Sequence, residues 1–289
     1  MLEYDALRAH DFGSIVQTYT ERDTMLYALG LGMGADPLDD GELCFVFEKN
    51  LQAVPTMATV IGSPGFFWRD GWTGADWVKL VHGEQHLQLY RTLPTAAAIT
   101  ARNRILSITD KGPGKGALVV IERELRLQAT DELVARARMI TFLRGDGGYS
   151  LHRGRSDQGP EQLPKVPDRD CDVEATLPTI ERQALIYRLS GDYNTLHADP
   201  SVAKAAGFSR PILHGLCTYG MAVHGLLRTV CRYDASRIRR VAVRFTAPVL
   251  PGETVRFEYW DEGRGRYLFR ATVDARAAVV LNNGLVELI

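Results

Sequence analysis

The feature that most restricts how this chain can fold is a long segment with almost no charge. It spans residues 215–231 and reads GLCTYGMAVHGLLRTVC. A helix without a polar face must be buried on all sides. Alternating apolar and polar residues, typical of half-buried strands, follow at 240–245, 255–259 and 267–273. This order predicts antiparallel strands in a curved sheet that wraps around one buried helix.

The N-terminal half resembles a fainter copy of this pattern. An apolar segment at 22–34, RDTMLYALGLGMG, predicts a helix that ends in glycines. Strand patterns follow at 99–109, 118–129 and 133–143. The similarity predicts two related units in one chain.

A stretch rich in glycine, proline and charge separates the two halves. It covers residues 144–172 and reads RGDGGYSLHRGRSDQGPEQLPKVPDRDCD. Such a composition buries little apolar surface, so we expect an exposed connection. The predicted division is an N-terminal unit at 1–150, a linker at 151–172 and a C-terminal unit at 173–289.

Charge and cysteine content argue against several classes of protein. The 34 lysines and arginines balance 35 acidic residues, which disfavours a nucleic-acid partner. The four cysteines are widely spaced and lack a CxxC pair, so we expect neither a disulfide framework nor a cysteine metal site. The sequence shows no signal peptide, no membrane-spanning run and no SKL-type ending. We therefore expect a cytoplasmic protein without a membrane partner.

Three polar residues with catalytic potential share one short connection. Asp192, Asn194 and His197 lie in the sequence GDYNTLH. Gly191 is a stop signal for the preceding helix, and Asp199 is a cap signal for the next one. A loop allows Asp192 and His197 to converge on one water, whereas their spacing would point them to different faces of a helix. The N-terminal half has no counterpart of this cluster.

An aspartate and a histidine that share a water can perform general acid–base catalysis. One group removes a proton from the water, and the other returns a proton to the adjacent carbon of the substrate. Asn194, with a donor and an acceptor, would fix the water or the loop. The alternative for each residue alone is structural, because Asx side chains cap helices and His197 could simply pack. The three residues together favour catalysis.

Gly215 stands at the start of the apolar helix, directly after His214. A helix N-terminus presents unpaired N–H groups and partial positive charge. If a thioester carbonyl lies there, the N–H of Gly215 can stabilise the enolate oxygen as it develops. The alternative is that this glycine only permits tight packing of the helix on the sheet.

Other histidines are weaker candidates. His82 and His86, in HGEQH, have a helical metal-site spacing, but the glutamate is not where an HExxH zinc motif needs it. We therefore predict no metal ligands in this chain. His224 lies in the middle of the apolar segment, where we expect a core histidine with a satisfied hydrogen bond.

The run GDYNTLHADPSVAKAAGFSRPILHGLCTYG resembles the signature of the MaoC-like, hydratase 2 group of enoyl-CoA hydratases. The resemblance extends to RDTMLYALGLGMG in the N-terminal half and RFTAPVLPGET in the C-terminal half. It implies an α+β double hotdog fold, in which two antiparallel sheets each wrap around a long central helix.

The resemblance also implies an activity: (R)-specific, reversible hydration of trans-2-enoyl-CoA to (3R)-hydroxyacyl-CoA, with no metal or redox cofactor. By motif position, Asp192 and His197 match the catalytic pair, Asn194 matches the supporting asparagine, and Gly215 matches the glycine that binds the thioester oxygen. The resemblance further implies a non-catalytic N-terminal unit that shapes the acyl pocket, and a homodimer.

One departure from the family motif concerns substrate range. Thr195 stands where the family often has proline, which loosens the loop without removing a reacting group. Two alternatives remain among enzymes: a hydratase of a branched or dicarboxylic acyl-CoA, and a thioesterase on the same fold. A third alternative, from another class, is a non-catalytic acyl-CoA-binding protein.

Overall fold

The structure is a computed structural model that describes residues 1–289 apart from the side chain of Arg153. The α-helices of the described chain are α1 (Tyr4–Ala9), α2 (Glu21–Gly30), α3 (Asp40–Val46), α4 (Ser150–Arg153), α5 (Gln183–Tyr187), α6 (Pro200–Ala205) and α7 (Gly215–Thr229). The first five strands are β1 (Ser14–Tyr19), β2 (Leu80–Leu89), β3 (Ala97–Asp110), β4 (Ala117–Leu127) and β5 (Leu133–Leu143). The other five are β6 (Val173–Pro178), β7 (Ile238–Phe245), β8 (Thr254–Asp261), β9 (Arg266–Val273) and β10 (Ala278–Leu288).

The strands form one antiparallel sheet in the order β1-β3-β4-β5-β2-β7-β10-β9-β8-β6. Read from its outer edge inward, each half has the same order of strands: first, third, fourth, fifth, second. The halves join where β2 pairs with β7, from Glu84 opposite Arg244 to Gln88 opposite Arg240. This pairing protects two strand edges that would otherwise be exposed. The double hotdog fold class is confirmed, with the two sheets merged into one.

Helix α7 fills the concave side of the C-terminal half, as its apolar sequence predicts. It packs against β6 and β8, and every residue from Cys217 to Leu227 is buried. Tyr259 on β8 donates its hydroxyl to the carbonyl of Ala222 at 2.6 Å, which ties the sheet to the helix. None of the helices in the described chain has both the length and the apolar character needed to cross a bilayer.

The N-terminal half differs from the expectation of a second long central helix. The predicted helix at 22–34 is α2, which packs against α5. The place equivalent to α7, between α2 and β2, holds a short buried 3₁₀ helix at Pro55–Thr59 that packs against α7 itself. The helix does not continue on its C-terminal side, because Gly62 has a φ of +65° and Pro64 follows.

The connection between the halves is extended but well anchored. The described residues from 154 to 172 contain no helix or strand. Asp157 accepts hydrogen bonds from the Tyr4 hydroxyl at 2.6 Å and from the backbone of Ile108 at 2.8 Å. Leu163 is buried against the outer face of the sheet, beside Trp260. The linker thus buries more apolar surface than its composition indicates, and the predicted unit boundaries stay a prediction.

Candidate active site

The loop that carries Asp192 follows a sharp change of chain direction. A 3₁₀ helix at Arg188–Ser190 ends at Gly191, whose φ of +123° suits glycine. The carboxylate of Asp192 then accepts the backbone N–H of Asn194 at 3.2 Å. These two features fix the direction in which the loop leaves the helix and place Asp192 at its start.

Asn194 caps the short 3₁₀ helix at Thr195–His197. Its side-chain oxygen accepts the backbone N–H of Leu196 at 3.1 Å, and the residue is exposed. The structure therefore matches the capping alternative for this residue. The amide nitrogen of Asn194 remains available to a ligand, so its predicted substrate-binding role stays a prediction.

His197 is held by its Nδ1 atom, which lies 2.8 Å from the carbonyl oxygen of Ile212. A carbonyl only accepts, so Nδ1 carries the hydrogen and Nε2 keeps a free lone pair. The ring is 8% exposed. Burial lowers the pKa of His197, which keeps the ring neutral and able to accept a proton at neutral pH.

His214, to which the sequence analysis gave no role, lies directly beside the pair. Its ring stacks on that of His197, with centroids 3.7 Å apart and planes 25° apart. Its Nε2 atom lies 3.1 Å from the carbonyl oxygen of Asp192, which places the hydrogen on Nε2. Burial, and then the positive charge that His197 can carry, lower the pKa of His214 to about 4. Its position before Gly215 was the signal that could have pointed to the site.

The side chains of Asp192, His197 and His214 converge. One polar atom from each lies within 4.8 Å of the other two. A carboxylate and two imidazoles are also ligands that zinc accepts. Nδ1 of His197 and Nε2 of His214 are both bonded to backbone carbonyls, so one nitrogen of each ring remains for a ligand. The same groups can bind a water, which is the role that the sequence predicts for Asp192 and His197.

Gly215 begins α7 and is exposed at its N-terminus. A Cβ atom at this position would lie 3.2 Å from two carbons of the Phe245 ring. Because glycine has no side chain, the backbone N–H of Gly215 remains accessible next to the Phe245 ring. This geometry suits the approach of a carbonyl oxygen.

The N-terminal half also reaches the site. His82 on β2 packs its ring against Phe245 with centroids 4.6 Å apart. Burial lowers the pKa of His82 to about 4, and the negative charge of Asp192 opposes this shift. No local pattern in the sequence predicts this contact, because it depends on the junction between β2 and β7.

The remaining candidate residues have structural partners. His86 lies 3.1 Å from the carboxylate of Glu84, which also binds Arg244 across the junction at 2.7 Å. His224 is a buried core histidine whose Nε2 lies 3.0 Å from Glu42, as predicted. Cys217 is fully buried, and burial raises the pKa of its thiol, so it is unsuited to be a nucleophile.

Two family models match the chain, one in each half. Residues 162–283 match the MaoC like domain. Residues 17–145 match the MFE-2 hydratase 2 N-terminal domain. The two matches lie on the two halves of the sheet and are consistent with the repeated strand order.

Curated relatives and solved structures match over nearly the whole chain. A peroxisomal enoyl-CoA hydratase 2 from Arabidopsis thaliana is 39% identical, over 96% of this chain and 93% of that protein. The 3-hydroxyacyl-thioester dehydratase Y of Mycobacterium tuberculosis is 41% identical, over 93% of this chain and 92% of that protein. The crystal structure of a MaoC-like dehydratase from Phytophthora capsici has a TM-score of 0.86 and 31% identity, and the match covers 100% of this chain and 98% of that one. With this fold, this cluster and these relatives, the chain belongs to the MaoC-like hydratase 2 family.

Proposed function

We propose that this chain adds water to the double bond of a trans-2-enoyl-CoA to give a (3R)-hydroxyacyl-CoA, and that it catalyses the reverse dehydration. The observation that carries the proposal is the convergence of Asp192 and His197 within 4.8 Å of each other, beside His214. The hydratase and dehydratase relatives support the same reaction. An enzyme that adds water to a carbon–carbon double bond, or removes it to form one, is a hydro-lyase.

In the proposed hydration, the water lies between His197 and Asp192. The neutral ring of His197 accepts one hydrogen of the water at Nε2, because Nδ1 is committed to Ile212. The carboxylate of Asp192 accepts the other hydrogen and orients the oxygen. As that oxygen bonds to C3 of the substrate, its proton passes to Nε2. The negative charge of Asp192 stabilises the imidazolium that forms.

The electrons of the double bond move toward the thioester during the addition. They give an enolate, whose oxygen lies at the N–H of Gly215 and at the positive end of α7. The imidazolium of His197 then returns its proton to C2 on the same face. One residue thus performs both proton transfers, which the sequence analysis divides between Asp192 and His197. The site regains its starting charge, and the product contains the elements of one water.

No step of this reaction needs a metal or a redox cofactor, so we propose that none is bound. Treatment with a chelator should leave kcat unchanged. The coenzyme A thioester enters as substrate. We further propose that the N-terminal unit is non-catalytic and shapes the acyl pocket; the contact of its short 3₁₀ helix at Pro55–Thr59 with α7 supports a position near the site.

Assembly and location are also proposals. We propose a homodimer in the cytoplasm, with neither nucleic acid nor membrane as partner. The balanced charge supports the absence of a nucleic-acid partner, and the resemblance to the family supports the homodimer. Some relatives are named as peroxisomal. Light scattering of the purified protein would give the mass, and a monomer would contradict the dimer.

The test begins with purified protein, crotonyl-CoA and a longer trans-2-enoyl-CoA. Hydration should remove the absorbance of the conjugated thioester, and only an (R)-specific 3-hydroxyacyl-CoA dehydrogenase should oxidise the product. Asp192→Asn and His197→Ala should each lower kcat by at least about 100-fold. Asp199→Asn, which keeps a cap on α6, and His86→Gln are the matched controls and should stay near wild type.

Four outcomes would contradict the proposal. An (S) product would exclude the stereochemistry, and near-normal turnover by both site variants would exclude the residues. Tight binding of acyl-CoA without turnover at any chain length would identify a binding protein. Release of free thiol from an acyl-CoA would instead identify a thioesterase.

A further inference from the structure

A cation in the N-terminal half holds a short segment of irregular backbone. Arg123, on β4, donates from Nη1 to the carbonyl oxygens of Thr59 at 3.0 Å and Ile61 at 2.8 Å. Its Nε donates to the side-chain oxygen of Asn103 at 3.0 Å. The guanidinium group thus satisfies two buried carbonyls that no strand pairing satisfies.

Two further side chains bind the same segment. Asn103, on β3, donates its amide to the carbonyl of Gly62 at 3.2 Å, and Gln17, on β1, accepts the N–H of Gly62 at 2.8 Å. Residues 59–62 are all buried. Side chains from three strands therefore fix this segment against the sheet.

The fixed segment lies against the start of the catalytic loop. A Cβ atom at Gly191 would lie 3.6 Å from the carbonyl oxygen of Val60 and 4.0 Å from its Cβ. Gly191 directly precedes Asp192 and holds the unusual φ of +123°. Val60 therefore lies next to the open side of Gly191, at the point that sets the direction of Asp192.

Arg123 binds this segment without a carboxylate partner. Desolvation lowers the pKa of Arg123 to about 10, and among the described side chains no carboxylate forms an ion pair with it. The side chain is half-buried, and its hydrogen bonds go to Thr59, Ile61 and Asn103. Its polar contacts are therefore directed at the segment beside the catalytic loop and at the asparagine that also binds this segment.

We propose that Arg123 is a positioning residue for the reaction. By holding residues 59–62 on the sheet, it fixes Gly191 through Val60 and thereby orients Asp192 toward the shared water. This inference rests on the proposed hydration. The N-terminal unit would then help to align the catalytic groups, in addition to its proposed role in shaping the acyl pocket.

The test compares Arg123→Met and Arg123→Lys with Arg102→Met, which removes an exposed arginine from the adjacent strand. Three quantities are measured: hydrogen exchange of peptides that cover 55–62 and 188–198, kcat for crotonyl-CoA, and Kd for the saturated butyryl-CoA. Arg123→Met should exchange faster in both peptides and lose at least about 10-fold in kcat, with Kd within about 3-fold of wild type, because misorientation affects the reaction more than binding.

Arg123→Lys should recover part of kcat, since an ammonium group can donate to the same carbonyls. Arg102→Met should match wild type in all three measurements. Faster exchange confined to 55–62 with normal kcat would overturn the inference, as would equal losses in kcat and affinity. If Arg123→Met does not fold, Gln17→Leu takes its place, since it removes one hydrogen bond to Gly62. It should show faster exchange in both peptides and a smaller loss of kcat. Normal exchange and normal kcat in Gln17→Leu would also overturn the inference.

The exchange measurement separates this inference from the proposed function. If wild type shows no hydration of any enoyl-CoA, the proposed function fails. Faster exchange at 188–198 in Arg123→Met would still establish the support of the loop by the N-terminal half.

Discussion

At the scale of single residues, one hydrogen bond decides how His197 works. The carbonyl of Ile212 fixes the hydrogen on Nδ1 and leaves Nε2 as the only ring atom able to accept a proton. The stacked ring of His214, with its pKa near 4, adds no positive charge beside it at neutral pH. His197 therefore reaches the transition state already in the correct tautomer.

The pH dependence of hydration follows from this arrangement. The proposed mechanism requires neutral His197, and burial lowers its pKa below the ordinary value of 6.5. We expect kcat/KM to be constant above that lowered pKa and to fall about 10-fold per pH unit below it. A pH profile with crotonyl-CoA checks this, with His86→Gln as the control. A midpoint above the ordinary histidine value would contradict the prediction.

Some residues of the site can be identified from the sequence, and others cannot. Asp192, Asn194 and His197 occur in one short run, so local spacing and helix signals suffice to identify them. Tertiary packing brings three further residues to the site or its supports: His82, His214 and Arg123. Their positions depend on the junction of two strands and on the packing of an irregular segment. No local pattern carries that information.

At the scale of elements, the packing of α7 against the sheet depends on a glycine, Gly225. Gly225 faces β8 and β6, where an added Cβ would lie 2.5 Å from the Tyr259 hydroxyl and 3.1 Å from the Cβ of Ala175. The helix can approach the sheet closely only because this position is empty. The hydrogen bond from Tyr259 to Ala222 depends on the same close approach.

Gly225→Ala should therefore destabilise the protein, although alanine is the better helix former. The propensity gain is about 1 kcal/mol, and crowding of a packed core costs about 1–3 kcal/mol. We expect a net loss of roughly 1 kcal/mol in the free energy of unfolding, measured with urea. Tyr259→Phe, which removes the crowded hydroxyl, should recover part of this loss when combined with Gly225→Ala. A variant as stable as wild type would show that the helix can shift without cost.

Strong periodicity allowed most elements to be predicted. The apolar segment of α7 and the period-two strands of both halves lie within a few residues of the predicted bounds. The replacement of the second central helix by a 3₁₀ turn could not be predicted in the same way. Buried residues 53–61 are apolar or β-branched, a pattern that suits several buried conformations, and the choice among them is made by Arg123, Asn103 and Gln17.

At the scale of the whole molecule, the buried histidines link stability to pH. In the folded state His82 and His214 each have a pKa near 4, whereas an unfolded histidine has a pKa of 6.5. The unfolded state therefore binds protons first as the pH falls. Stability is fully present above the unfolded value and is lost progressively between about pH 6.5 and pH 4.

His214 alone should contribute roughly 3 kcal/mol to this loss, at about 1.4 kcal/mol per pKa unit. Urea unfolding at several pH values between these limits measures the slope. His214→Gln should flatten the dependence, and His152→Gln, at an exposed site, should leave it unchanged. An equal slope in wild type and His214→Gln would show that this ring does not titrate with unfolding.

The continuous sheet has an evolutionary consequence. In an assembly of two identical subunits, every mutation appears on both sides of the symmetry axis, so a change that widens one pocket also alters its twin. Here β2 and β7 join two halves that one chain encodes separately, and only the C-terminal half carries the Asp192 loop. The two sides are therefore free to diverge: residues of the N-terminal half can change while the residues of the Asp192 loop stay constant.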